Sequence, residues 1–165
     1  MRARRWLAGS AGVPPEPVQQ QDVSQNPGRI TILAVLAEEQ DRNTLKASSQ
    51  RYGWNAHIAD SYLEARQLLT RTQAPIVLCD RDVQDQDWWS MVEGLSSGGN
   101  HACIFLVSKV ADDYLWNEVV RRGGYDVISK PLREDELERA AKLAWTYWSS
   151  TSNRVPAKSA GPSTK

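Results

Sequence analysis

Between residues 29 and 148, short apolar runs alternate with longer amphipathic stretches, and this alternation constrains the fold more than any other feature. The apolar runs predict β-strands at residues 30–36, 54–59, 75–79, 102–107 and 125–129. Each run is followed by a stretch with apolar side chains at helical spacing, and Gly53 stands where the first such stretch ends. Regular alternation of this kind is typical of α/β domains. It predicts a doubly wound, five-stranded parallel sheet flanked by five helices.

The alternation stops towards both ends of the chain. Residues 1–28 and 149–165 are rich in Pro, Gln, Gly, Ala and Ser and lack apolar periodicity, which predicts a disordered leader and a disordered tail. A chain of 165 residues has room for one domain core, which we expect at residues 29–148. Because no second domain is expected after residue 148, we also expect no DNA-binding domain.

Charge and cysteine content narrow the class of protein. Residues 1–29 and 149–165 hold seven of the 20 Lys and Arg residues but only two of the 20 acids, so the middle is acidic. A net negative charge on the middle of the chain argues against nucleic-acid binding.

Cys79 and Cys103 lie in apolar runs without metal-ligand spacing, which indicates buried thiols in a reducing cytoplasm. No stretch approaches the roughly 20 apolar residues of a membrane helix, so we expect no membrane association.

Polar residues follow three of the predicted strands: Asp80, Ser108 and Lys130. The carboxyl ends of parallel strands meet at one edge of a sheet, where ligands bind, so these side chains should share one rim. A carboxylate there can attack a phosphoryl group, with Lys130 supplying positive charge and Ser108 a hydrogen bond. A divalent cation would complete such a site. The competing interpretation of Asp80 is a residue that starts a turn or caps the next helix.

These residues resemble the receiver domains of bacterial two-component response regulators. The resemblance covers residues 30–148 and lies in Asp80 as phosphoacceptor, Ser108 as the hydroxyl after strand four, and the Lys130-Pro131 dipeptide. It implies a flavodoxin-like receiver fold with strand order 2-1-3-4-5 and a cis bond before Pro131. It also implies that Mg²⁺ assists phosphorylation by a histidine kinase, a phosphotransfer protein or a small phosphodonor. A downstream protein partner would then bind the face formed by helix four, strand five and helix five.

The sequence departs from the receiver pattern at the metal site. Receivers usually carry two adjacent acids after strand one, but this chain has Leu36 and Ala37 there, or Ala37 and Glu38 if the loop shifts by one residue. Glu38 or Glu39 can bend inward to replace a missing ligand, although a solvated acidic pair near a helix start is the competing interpretation. The carbonyl of Asp82 occupies another position expected at the metal. The candidate Mg²⁺ ligands are therefore Glu38, Asp80 and Asp82.

Two more departures concern access and coupling. Lys109 follows Ser108, where the family favours a small residue that leaves the phosphate accessible. A long cation there either blocks the entrance or helps to neutralise the site. Val127 stands three positions before Lys130, where the family has an aromatic switch residue. We therefore expect altered coupling between the phosphate and the surface.

Two hypotheses follow from these residues. The first is a single-domain response regulator in a phosphorelay, phosphorylated on Asp80 and signalling by protein contact. The second is a degenerate pseudo-receiver that acts as a phosphorylation-independent protein-interaction module. Neither is a dedicated enzyme. A small flavodoxin-like enzyme is disfavoured, because no glycine-rich phosphate loop follows strand one.

Overall fold

A computed structural model describes residues 29–98 and 101–152. Within these ranges, five strands alternate with five helices. In chain order they are β1 (Thr31–Val35), α1 (Glu39–Tyr52), β2 (Asn55–Ala59), α2 (Tyr62–Thr72), β3 (Ile76–Asp80), α3 (Trp88–Ser96), β4 (Cys103–Ser108), α4 (Asp113–Arg121), β5 (Asp126–Ser129) and α5 (Glu134–Ser152).

The strands form one parallel sheet in the order β2-β1-β3-β4-β5. This arrangement confirms the predicted doubly wound fold and its 2-1-3-4-5 order. The register pairs Asp80 with Val107, and Ser108 with Ser129. The carboxyl ends of β3, β4 and β5 are therefore level with one another at one edge.

Buried side chains cover both faces of the sheet, because successive residues of a strand point to opposite sides. Ile32 and Leu78 face α1 and α5, while their neighbours Leu33 and Val77 face α2, α3 and α4. Leu137 of α5 belongs to the first cluster and is buried. A strand that is buried on both faces has no polar side to display, which explains why these strands are continuous apolar runs in the sequence.

Helix ends follow local signals that the sequence already contains. Gly53 ends α1 in the left-handed region, at φ 73°, and its N–H bonds to the carbonyl of Ser49. Ser61 caps α2 by accepting the N–H of Glu64 at 3.1 Å, and the Glu64 carboxylate in return accepts the N–H of Asp60 at 2.8 Å. The pair resembles a capping box, except that the Glu64 carboxylate binds the N–H of the residue before the cap.

Helix α5 is longer than predicted. It continues to Ser152, whereas the sequence analysis ended both the helix and the domain at residue 148 and expected disorder from residue 149. A helix that is already nucleated extends at little cost, so its end need not coincide with its last apolar residue. The predicted leader at residues 1–28 and the rest of the predicted tail, residues 153–165, lie outside the described residues.

The cysteines are buried and free, as predicted. Burial raises the pKa of Cys79 to about 12 and that of Cys103 to about 11, so both thiols stay protonated at neutral pH. Among the helices described for residues 29–98 and 101–152, none has both the length and the apolar character needed to cross a bilayer.

Candidate functional site

Asp80 ends β3 with its side chain fully buried at the carboxyl edge of the sheet. Its Oδ1 accepts hydrogen bonds from Lys130 Nζ at 2.8 Å and from the N–H of Asp82 at 2.9 Å. Its Oδ2 accepts from Lys130 Nζ at 3.0 Å and from the N–H of Ala37 at 2.9 Å. The carboxylate is thus held by groups from the β1–α1, β3–α3 and β5–α5 loops. This environment differs from that of a residue that only starts a turn.

Lys130 follows β5, and its side chain is only 2% exposed. Besides Asp80, its ammonium contacts Asp82 Oδ2 at 2.8 Å and Glu38 Oε1 at 3.0 Å. Burial opposes the charged form of Lys130, but the hydrogen bonds to these carboxylates outweigh it and raise the pKa of the lysine. The ammonium is therefore a fixed positive charge at the centre of the rim.

Lys130 is positioned by its backbone as well as by its charge. Its N–H donates to the carbonyl of Ser108 at 3.0 Å, and the bond before Pro131 is cis, as the resemblance implied. The next residue, Leu132, donates its N–H to Asp41 Oδ1 at 2.8 Å. Asp41 lies in the first turn of α1 and is buried.

The role of Asp41 was missed by the sequence analysis. A signal was present, because Asp41 lies four residues before Leu45, the buried leucine of α1, and so occupies the buried face of that helix. An acid in such a position needs a partner inside the protein. The partner could not be read from the chain, because it lies 91 residues away in the loop after β5.

Ser108 ends β4 beside Asp80 and is buried. Its hydroxyl accepts the N–H of Val110 at 3.2 Å, within the loop that follows the strand. All the predicted rim residues therefore lie at the same edge. Lys130 and Asp80 are in direct contact, and Ser108 is joined to Lys130 through the backbone.

The register decides which residues replace the usual acidic pair. Val35 is paired with Cys79, so Leu36 is level with Asp80 and Ala37 follows it. Leu36 is buried in the core, and Ala37 contributes only its N–H to Asp80. Of the two alternatives from the sequence, the pair Leu36 and Ala37 is therefore correct, and neither side chain offers an oxygen ligand.

The Glu38 side chain bends towards Asp80 and the rim, where its carboxylate contacts the ammonium of Lys130. Its Oε1 lies 3.0 Å from Lys130 Nζ and 3.7 Å from Lys109 Nζ. The hydrogen bond from Lys130, and after it the charges of Lys130 and Lys109, lower the pKa of Glu38. The hydrogen bond from Lys130 likewise lowers the pKa of Asp82. Both carboxylates are therefore ionised counter-ions of the lysine at neutral pH.

The predicted Mg²⁺ site is not assembled by these residues. Glu38, Asp80 and Asp82 come together, and carboxylate oxygens are suitable magnesium ligands. The point on which they converge, however, is taken by the Lys130 ammonium. Across residues 29–98 and 101–152, no group of three or more Asp, Glu, His or Cys side chains is arranged to hold a metal ion. The carboxylates of Glu38, Asp80 and Asp82 are thus engaged by the lysine, and their role as metal ligands stays a prediction.

Lys109 and Val127 are the two remaining departures from the receiver pattern. Lys109 is 69% exposed and lies outside Glu38, so the two side chains form an exposed ion pair beside the rim. Val127 pairs with Leu106 and packs, half-buried, against the cluster beneath α2, α3 and α4. An aliphatic side chain thus occupies the position where the resemblance implied an aromatic one.

Comparison with known proteins identifies the fold of this chain. No protein-family model matches the sequence, and no curated protein matches it either. Solved structures do match, and receiver domains are among them. The chain has the receiver fold. The signal receiver domain of an HD domain-containing protein from Pseudomonas fluorescens Pf-5 has a TM-score of 0.69 and 22% identity, over 77% of this chain and 94% of that one.

Two further solved structures with the receiver fold resemble this chain to a similar degree. A two-component response regulator from Clostridium difficile has a TM-score of 0.65 and 18% identity, over 72% of this chain and 97% of its own. The chemotaxis protein CheY4 of Vibrio cholerae has a TM-score of 0.65 and 14% identity, over 70% of this chain and 98% of its own. At these identities the likeness establishes the fold alone.

Proposed function

We propose that this chain is a response regulator receiver that takes part in two-component phosphorelay signalling, with Asp80 accepting the phosphoryl group. The observation that supports it is the distance of 2.8 Å between Lys130 Nζ and the buried Asp80 carboxylate, at the ligand-binding edge of a receiver fold. A cation at that distance can neutralise charge on a transferred phosphoryl group. The chain is not a dedicated enzyme in this proposal, because the acyl phosphate is the signal itself.

The transfer follows from the groups around Asp80. One carboxylate oxygen attacks phosphorus, and the bond from phosphorus to the donor breaks: a P–N bond when the donor is a phosphohistidine, or a P–O bond when it is a small donor such as acetyl phosphate. The imidazole or acetate departs with the electron pair. Lys130 then turns one N–H from the carboxylate to a phosphoryl oxygen. The Ser108 hydroxyl, on the neighbouring strand, donates to another oxygen once it turns away from the N–H of Val110.

The donor in this proposal is a histidine kinase or a phosphotransfer protein, and the output is a protein contact. A suitable surface is formed by α4, β5 and α5, where large side chains are exposed: Tyr114, Trp116, Val120, Leu143 and Tyr147. Aromatic and aliphatic side chains of this kind are common at the centre of protein interfaces. The buried thiols of Cys79 and Cys103 fit a cytoplasmic location.

The test of phosphorylation is chemical. We expect incubation with acetyl phosphate, or with a cognate kinase and ATP, to add one phosphoryl mass to the intact protein, and Asp80→Asn to abolish the addition. Asp135→Asn is the matched control, because it removes an exposed carboxylate of α5 and leaves the rim intact. An unphosphorylated wild-type protein under all of these conditions would contradict the proposal.

A second function is favoured by a specific observation. Both oxygens of Asp80 are already hydrogen-bonded, and Leu36 and Ala37 replace the usual acids. These features suit a pseudo-receiver that binds its partner without phosphorylation. Partner affinity that is indifferent to both Asp80→Asn and Asp80→Glu would support this second function, and a strong effect of either substitution would argue for the first.

A further inference from the structure

The centre of the rim is occupied by the Lys130 ammonium, and Leu36 and Ala37 stand where a receiver of the usual pattern has two acids. Lys130 Nζ lies 2.8 Å from Asp80, 2.8 Å from Asp82 and 3.0 Å from Glu38. Resting on the proposed function, we infer that phosphoryl transfer to Asp80 needs no divalent cation, because Lys130 and Lys109 together supply the positive charge.

The first argument concerns the contacts that a metal ion would have to replace. A magnesium ion that bound Asp80 and Asp82 would have to displace the ammonium from both carboxylates. The Lys130 side chain is 2% exposed, so it would lose its partners with little access to water. Depriving a buried charge of its partner is strongly unfavourable. Leu36 and Ala37 also provide no oxygen in return, whereas magnesium demands an octahedral oxygen shell.

The second argument concerns Glu38, which contacts both lysines. Its Oε1 is 3.0 Å from Lys130 Nζ and 3.7 Å from Lys109 Nζ, and its side chain is 46% exposed. The exposed ion pair with Lys109 contributes little stability. Lys130 would lose one contact but keep Asp80 and Asp82 as counter-ions, so Glu38 can move into water without leaving a buried charge unpaired. The Lys109 ammonium, and the side of the Lys130 ammonium that Glu38 had contacted, could then bind an incoming phosphoryl group, while Lys130 keeps its contacts with Asp80 and Asp82. In the resting site, the Glu38 carboxylate thus occupies the position next to the two lysines that we infer for the phosphoryl group.

The charge of the site supports this exchange. At rest, the carboxylates of Glu38, Asp80 and Asp82 face the ammonium groups of Lys130 and Lys109, a net charge of minus one. After transfer, Asp80 is esterified and the phosphoryl group brings a charge of about minus two. With Glu38 withdrawn, Asp82 and the phosphoryl group face the same lysines, and the net charge is again about minus one. No additional cation is required to keep the net charge of the site unchanged.

The direct test compares phosphorylation with and without magnesium. Wild-type protein is incubated with acetyl phosphate in excess chelator or in MgCl₂, and the rate is followed by intact mass. We expect the two rates to agree within about threefold. A phosphorylation rate that is more than about threefold lower in chelator than in MgCl₂ overturns this inference and leaves the proposed function standing. A protein that is not phosphorylated under either condition overturns both.

A binding measurement provides a readout that does not depend on transfer. Titration of MgCl₂ into the wild-type protein, followed through the amide signals of Ala37 and Asp82, should leave both signals in place. Ala37→Asp restores a carboxylate beside Asp80, and we expect it to acquire magnesium-dependent shifts and a faster rate in MgCl₂ than in chelator. Ala37→Asn is the uncharged control. Saturable shifts in the wild-type protein would overturn the inference.

The contribution of Lys109 is tested by substitution. Lys109→Ala should slow phosphorylation in chelator by about tenfold, and Lys109→Arg should restore most of the rate, because it keeps the charge. Lys46→Ala is the matched control, since it removes an exposed lysine of α1 away from the rim. Equal rates for Lys109→Ala and the wild-type protein would exclude a role for the second cation.

Discussion

At the scale of single residues, Lys130 joins loops that are distant in the sequence. Its ammonium contacts Glu38 after β1, Asp80 at the end of β3 and Asp82 in the loop that follows. Its backbone N–H donates to the carbonyl of Ser108 at the end of β4. A nearly buried cation that holds several carboxylates contributes to folding only while those partners remain ionised. Stability and chemistry therefore depend on the same side chain.

Removal of that cation should be costly. We expect Lys130→Met to lower the free energy of unfolding by about 3–5 kcal/mol, because Asp80 would remain buried without its counter-ion. Urea denaturation followed by tryptophan fluorescence measures this loss. The double variant Asp80→Asn/Lys130→Met should lose less than the sum of the two single variants. An unchanged unfolding midpoint for Lys130→Met would contradict the importance of the ion pair.

The same cluster predicts how stability depends on pH. The pKa values of Glu38 and Asp82 are lowered in the folded protein from ordinary values of 4.5 and 3.8, and that of Lys130 is raised from 10.5. Stability from the carboxylates is complete above about pH 4.5 and is lost as pH falls through their folded pKa values. Stability from Lys130 is complete below about pH 10.5 and is lost as pH rises through its folded pKa.

Urea midpoints measured across pH should therefore form a plateau with a falling limb on each side. We expect the double variant Glu38→Gln/Asp82→Asn to have a shallower acid limb than the wild-type protein, because two carboxylates with lowered pKa values are gone. Glu39→Gln serves as the control, since Glu39 is exposed and pairs only with Arg42 among the contacts of the described chain. Acid limbs of equal steepness in all three proteins would show that the cluster does not control the pH dependence.

Sequence reasoning found some residues of this rim but not their partners. Asp80, Ser108 and Lys130 could be predicted, because a residue that follows a parallel strand must lie at the carboxyl edge. The contact between Glu38 and Lys130 depends on the conformation of the β1–α1 loop, which apolar periodicity does not encode. The same loop conformation places the Glu38 carboxylate against Lys130 and lets the Ala37 N–H donate to Asp80.

At the scale of elements, α1 is tied to the loop after β5 by a buried hydrogen bond. Asp41 Oδ1 accepts the N–H of Leu132, while Asp41 Oδ2 has no hydrogen-bond partner among the described residues. Leu132 lies two residues after Lys130, so the first turn of α1 helps to fix the position of the lysine. An acid on the buried face of an amphipathic helix thus has a positioning role.

Loss of the Asp41 carboxylate should loosen this connection. We expect Asp41→Ala to cost about 1–3 kcal/mol, because the N–H of Leu132 would be buried without an acceptor. Amide hydrogen exchange should show faster exchange at Leu132, alongside a lower urea midpoint. Asp41→Asn keeps an acceptor oxygen and should lose less. Glu39→Ala is the control from the same turn, and an equal loss in that variant would argue against a specific bond.

At the scale of the whole molecule, one sheet connects the packing on its two sides. Apolar residues of each strand alternate between the cluster beneath α1 and α5 and the cluster beneath α2, α3 and α4. The doubly wound parallel sheet could be predicted from this alternation and from right-handed crossovers, whereas the strand order was implied by the resemblance to receiver domains. The end of α5 could not be predicted, because polar residues such as Ser149 neither require nor exclude a helix.

A shared sheet predicts cooperative unfolding. Leu137→Ala, on the buried face of α5, and Leu95→Ala, on the buried face of α3, should each lower the free energy of unfolding by about 2–5 kcal/mol, because each leaves a cavity at a fully buried site. Their effects should add within about 0.5 kcal/mol, since the residues belong to different clusters. Fluorescence and circular dichroism should give coincident transitions. Separate transitions for the two faces would contradict a single cooperative unit.

The hydrogen bonds around Asp80 also determine what a substitution of this residue can mean. Asp80→Asn takes one negative charge from a nearly buried ammonium, so the neighbouring loops lose part of their common anchor before any phosphoryl donor arrives. A signalling defect in such a variant would report a displaced lysine as well as a missing nucleophile. The resting shape of the rim and the environment of its carboxylate therefore depend on the same ion pair.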